Sequence, residues 1–97
     1  MIAVYDLSVN PPTYDVCTFL GFVEMERQRR KSDSVGIKII PGPHHGFRKD
    51  QLWPKTIDER KQLLNRIVTP MCWLLPHVES VTVETKTHGY NRTFGYN

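Results

Sequence analysis

The chain predicts an α/β fold: a three-layer, Rossmann-like βαβαβ unit with a short parallel sheet. Three observations predict it. Three short apolar runs alternate with two stretches of helical periodicity, in the order strand, helix, strand, helix, strand. The first run, Ile2-Ala3-Val4-Tyr5-Asp6-Leu7, is apolar almost without interruption, as in a parallel strand covered on both faces. The second and third runs alternate apolar and polar residues instead, which places them at sheet edges. The expected strand order is therefore 2-1-3, with the first strand central and the helices on opposite faces. The competing order, 3-2-1, puts both helices on one face and leaves the other bare.

Ser8-Val9-Asn10-Pro11-Pro12 ends the first strand, because two prolines cannot continue a ladder. Thr13 is a candidate cap for the first helix, which runs over residues 14–31 with Asp15 in its positive first turn. Val16, Phe19, Leu20 and Val23 share one face; Cys17, Phe22 and Met25 widen the apolar surface beyond a single stripe, so this helix wants cover on more than one side. Its basic end, with Arg27, Arg29, Arg30 and Lys31, suits the negative pole of the helix dipole better than it suits nucleic acid. Gly36-Ile37-Lys38-Ile39-Ile40 is the second strand, and residues 41–55 are the longest connection. Thr56-Ile57-Asp58-Glu59 is a capping box that starts the second helix. Leu63, Leu64, Ile67, Val68 and Met71 make its apolar face, and Pro70 forces a kink or an end, with a further helical piece over residues 71–75. Ser80-Val81-Thr82-Val83-Glu84-Thr85 is the third strand, with Val81 and Val83 facing in.

With 97 residues the chain supports one domain, placed at residues 1–86 and followed by an irregular tail at 87–97. A formal charge of +3 permits an anionic ligand without demanding nucleic acid. Cys17 and Cys72 fall inside apolar helical patterns and are expected as buried thiols. No run approaches the roughly 20 apolar residues of a membrane span and no signal sequence opens the chain, so a cytoplasmic protein is expected. Asn91-Arg92-Thr93 then matches a glycosylation sequon by chance. Three parallel strands leave two open edges, a liability for a lone monomer. Together with the apolar excess of the first helix, this implies a homo-oligomer or a second domain.

Parallel strands gather their following loops at one edge, where open α/β sheets bind ligands. The first loop carries Ser8, Asn10 and Thr13. The second carries Gly42, His44, His45, Gly46, Arg48 and Lys49, and the third Lys86, His88 and Arg92. Helix amino ends at the same edge favour anions. Asn10, Gly42, His44, His45, Gly46 and Arg48 are thus the candidate ligand-binding residues, for a phosphate-bearing small molecule. Arg48 brings a planar fork suited to phosphate, against an alternative as a surface ion pair with Asp50. Neither a P-loop nor a dinucleotide fingerprint is present, which disfavours an NTPase or a dehydrogenase. His44 and His45 are adjacent in an extended loop and should point apart, so no metal and no cofactor are expected, and no catalytic residue is assigned. Phe47 is expected as a core anchor, and Trp53 and Trp73 as packing residues.

Several motifs resemble a known group. Asp6-Leu7-Ser8-x-Asn10-Pro11-x-Thr13-Tyr14-Asp15, Glu24-Met25-Glu26, Ile40-Pro41-Gly42-Pro43-x-x-Gly46-Phe47-Arg48 and Asn65-Arg66-Ile67-Val68-x-Pro70-x-x-x-Leu74-Leu75-Pro76 look like the amino-terminal region of poorly characterised bacterial glycosyltransferase-like proteins associated with polysaccharide synthesis. The resemblance reaches to about Thr85. It implies one Rossmann-like half of a two-domain, GT-B-like protein that binds a nucleotide sugar between its halves, and hence catalysis only within a larger protein. Two functions are therefore expected in competition. One is a glycosyltransferase-like domain holding a nucleotide sugar at the strand-end loops. The other is a non-enzymatic interaction module that oligomerises or binds a partner through the first helix and an open sheet edge.

Overall fold

The short apolar runs become strands and the periodic stretches become helices, in the expected alternation. The structure is a computed structural model, and it describes residues 1–50 and 53–84. In order these form β1 (Ile2–Asp6), α1 (Val16–Arg30), β2 (Val35–Ile40), α2 (Ile57–Leu63), a π-helical turn (Leu64–Val68), α3 (Thr69–Cys72) and β3 (Val78–Val83). The candidates Lys86, His88 and Arg92 and the tail at 87–97 lie outside the described residues.

The sheet is fully parallel with the order β1-β2-β3. β2 is central, so the expected 2-1-3 order is overturned. Alternation around Lys38 does not mark an edge. It marks one polar position on one face of the central strand, where the ammonium lies 3.5 Å from Glu84. Nor does the apolar character of β1 mark a centre: Ala3, Val4, Tyr5 and Asp6 are buried although β2 is the one strand that β1 joins among the described residues.

Both helical crossovers lie on the same face, and this replaces the expected three layers with two. Ala3, Tyr5, Leu7, Val35, Ile37 and Ile39 point to that face, where they form one core with Val16, Phe19 and Val23 of α1 and with Leu64, Val68 and Cys72. The Phe19 ring meets Tyr5 edge-on at 5.0 Å. The far face is covered at Val4 and Ile40, each 1 % exposed, and open at Ile2 and Thr82.

Helix ends follow local chemistry. Lys31 takes a left-handed conformation (φ 53°) and closes α1, while its N–H and that of Ser32 bond back to the carbonyls of Gln28 and Arg27. The three arginines of the basic end pair with carboxylates of the same helix. Arg27 bonds Glu24 at 2.7 Å, and Arg29 and Arg30 both bond Glu26. These guanidinium groups hold both carboxyls well down, to about 2. Thr56 caps α2: its hydroxyl accepts from the Glu59 N–H at 3.1 Å and donates to the Glu59 carboxylate at 2.9 Å. Pro70 does not end the helix, which runs on through α3 to Cys72. The preceding turn widens, with the Thr69 N–H reaching the Leu64 carbonyl five residues back, and this makes room for a ring with no N–H to give. β3 begins two residues earlier than expected. Val81 is half-buried and Val83 exposed.

Candidate functional site

Two loops meet at the carboxyl edge of the sheet. The first is organised by Asp6, which closes β1 and is 4 % exposed. Its carboxylate accepts from the Ser8 N–H at 2.9 Å and the Ser8 hydroxyl at 2.6 Å. Its carbonyl accepts from the N–H groups of Val9 and Asn10 at 3.1 and 2.8 Å, and from the Asn10 side chain at 3.2 Å. A short side chain that bonds the backbone two residues on is what makes aspartate a turn former. Asn10 is thereby a buried strut of this turn. The Tyr5 hydroxyl donates to the Pro11 carbonyl at 2.6 Å and fixes the far side of the loop.

The second loop is a miniature hairpin. His44 and Phe47 exchange two backbone hydrogen bonds, each of 2.9 Å, and the Gly42 N–H reaches the Gly46 carbonyl at 2.8 Å. His45 and Gly46 have consecutive positive φ values, 53° and 94°, as a two-residue hairpin turn of the primed type requires. Phe47 is buried and anchors the hairpin in the core, as expected. Gly42 sits where no side chain fits: a Cβ there would overlap the Phe47 carbonyl and lie 2.8 Å from the Leu7 carbonyl oxygen.

The hairpin carries its imidazole rings outward. His44 and His45 are exposed, and their rings meet edge to face at 4.9 Å. They do not point apart, because the tight turn replaces the extended loop that would separate them. Arg48 makes two contacts: its Nε donates to Asp50 at 2.8 Å and its Nη1 to the Val9 carbonyl at 3.2 Å. It clasps the hairpin to the first loop. The Arg48 pair also lowers the Asp50 carboxyl below its ordinary value. Gly42, His44, His45, Gly46 and Arg48 thus share one hairpin, and Asn10 sits in the loop that it touches. Among the described residues no group of three or more histidine, cysteine or acidic side chains could hold a metal ion.

The anion-favouring helix ends are less open than a bare fold would make them. The N–H groups of Val16, Cys17, Thr18 and Phe19 all donate to carbonyls of residues 13–15, and Asp15 adds a carboxylate at that end. The amino end of α2 carries Asp58 and Glu59.

A second surface is apolar. An open groove of about 430 Å³ separates α1 from residues 71–75, with Cys17, Leu20, Gly21 and Glu24 on one wall and Met71, Leu74 and Leu75 on the other. Leu74 is 77 % exposed and Met25 67 %, and both tryptophans, expected to pack, are more than half exposed. Cys17 is exposed in this groove, not buried, and its thiol donates to the Met71 sulfur at 3.7 Å. Cys72 is buried, and burial pushes its thiol up to about 12. A disulfide reagent at neutral pH is therefore expected to modify one thiol of the native protein quickly and the second only on unfolding. Two equally fast thiols would contradict the burial of Cys72.

Sequence reasoning passed over Asp6 and the groove. Asp6 had a signal, an acidic residue that ends an apolar run two positions before a serine. The groove had one as well, since Cys17 and Gly21 stand four apart on the flank of the buried stripe of α1.

Comparison with protein-family models, curated proteins and solved structures finds no match for this chain. No helix among the described residues is long and apolar enough to cross a membrane.

Proposed function

We propose that the chain is a small protein-interaction module that self-associates, and that it does not act as a self-contained enzyme. The observation that carries this is the open groove lined by Leu20, Met71, Leu74 and Leu75, with Leu74 exposed in it; Met25 and Trp73 are exposed as well. Exposed apolar surface of this kind marks association sites. The hydrogen-bonding groups at the loop edge, by contrast, are engaged: Asn10 with Asp6, Arg48 with Asp50 and Val9, and the first N–H groups of α1 with the preceding turn. Thermal unfolding across a range of protein concentrations tests the proposal. A melting temperature that climbs with concentration is expected, because association stabilises the folded state by mass action. A concentration-independent midpoint argues against it.

A second reading takes up the resemblance to glycosyltransferase-like proteins. It places a phosphate-bearing molecule such as a nucleotide sugar at the hairpin. His44, His45 and Lys49 are exposed beside Arg48, and the Asp50 carboxylate that pairs with Arg48 is itself 77 % exposed. An ion pair so open to solvent is weak and can be exchanged for phosphate. On this reading Arg48→Ala weakens nucleotide-sugar binding about ten- to a hundredfold, the worth of a charged hydrogen bond. Calorimetry with both proteins checks it, and equal affinities remove Arg48 from the site.

A further inference from the structure

The two sheet edges are unlike. β1 is buried from Ala3 to Asp6, whereas on β3 Glu79, Ser80, Thr82 and Val83 are exposed and β2 is the one pairing partner among the described residues. The usual guards of an edge are thin here. Val78–Val83 contains no proline and no lysine, and the single irregularity falls at the strand's start, opposite Val35 and Gly36. The Glu84 N–H donates to the Ile39 carbonyl at 2.8 Å, so the backbone groups of even-numbered residues face β2. Those of Val81 and Val83 therefore face outward.

We propose that β3 is the self-association edge, pairing antiparallel with β3 of a second copy about a two-fold axis at Thr82. This rests on the self-association reading above and gives it a surface. In that register Val81 of one copy faces Val83 of the other, and the reverse, and each pair exchanges both of its N–H···O bonds. The outward N–H and C=O groups of Val81 and Val83 are then satisfied in both strands. The side chains match as well. Valine meets valine on the helix side, threonine meets threonine on the far side, and Ser80 faces Glu84 with no like charges opposed. The interface is isologous and closes on itself. Two three-stranded sheets become one continuous sheet, and because α3 packs beside β3, the helical layers of the two copies become neighbours.

Sedimentation equilibrium from low micromolar to submillimolar concentration tests this on the full chain. Wild type is expected to form a reversible dimer. Val83→Pro removes an outward N–H and leaves the β2 ladder intact, and it is expected to weaken the dimer at least about tenfold. In a Cys17→Ser background, Thr82→Cys is expected to crosslink under mild oxidation. The Cα separation of such an unbonded antiparallel pair, about 4.5 Å, falls in the disulfide range. Ser80→Cys in the same background is expected not to crosslink. A dimer equally tight in Val83→Pro, with no Thr82→Cys crosslink, overturns the strand edge while leaving self-association through the helical groove. A monomer at every concentration overturns both.

Discussion

Gly42→Ala is expected to lower stability by about 3 kcal/mol, toward the upper end of the overpacking range, and the melting temperature by on the order of 15 °C. The cause is contact, not conformational preference. The atoms a methyl group would strike are the Phe47 carbonyl oxygen and carbon, the carbon at 2.5 Å, and the Leu7 carbonyl oxygen at 2.8 Å. All are backbone, so no side-chain rotation relieves the clash. The first loop and the hairpin must part or shift together. Hydrogen exchange should then show faster exchange at the amides of Gly42, His44 and Phe47, whose bonds define the hairpin. Gly21→Ala is the matched control. A Cβ at Gly21 meets nothing within 4 Å, and in a helix interior the change should stabilise by about 0.5–1 kcal/mol. Opposite signs from the same substitution at two glycines would be hard to obtain from composition alone. A neutral Gly42→Ala would mean that the two loops are not held this close.

Phe19→Ala is expected to cost about 3–5 kcal/mol, the usual range for emptying an aromatic site in a core. Phe19 is fully buried at the contact between α1 and β1, and its ring meets Tyr5 edge-on. For a domain whose whole stability is about 5–15 kcal/mol, the loss takes a large share. Denaturant titration measures it, with an unchanged slope expected if the fold is kept. Tyr5→Phe keeps the ring contact and removes the hydroxyl that bonds the Pro11 carbonyl, so it should cost about 1 kcal/mol. A Phe19→Ala effect no larger than that of Tyr5→Phe would mean that α1 is not seated on β1 as described.

The alternation of strands and helices is legible in the sequence because each element has its own periodicity. The Thr56 cap is legible because its chemistry is local: a hydroxyl and a carboxylate three residues apart. The place of each strand in the sheet is not legible. Lys38 reads as an edge residue until Glu84, far along the chain, is seen to pair with it. β1 reads as a centre because the pattern reports burial and not hydrogen-bonding neighbours. At the site, Arg48 and Asp50 are two residues apart and their pairing is foreseeable; the Val9 contact depends on the loops meeting and is not. The histidine pair departs from expectation because a positive φ at His45 is invisible in a two-letter repeat. Cys17 departs from it because helical spacing alone does not fix how wide the buried stripe is.

The widened turn before Pro70 also sets angular phase. Along α2, the π turn and α3, the buried positions are Arg60, Leu64, Val68 and Cys72, spaced by four throughout. At 3.6 residues per turn, a spacing of four drifts by about 40° at each step, or about 120° over this stretch. Cys72 would then be carried off the core side. One residue of extra backbone in a π turn rotates the downstream residues back by about 100°. The irregularity therefore acts as a phase corrector. It lets a repeat too long for a straight α-helix keep one line against the sheet, and it delivers the chain to β3 with Trp73 and Leu74 turned outward.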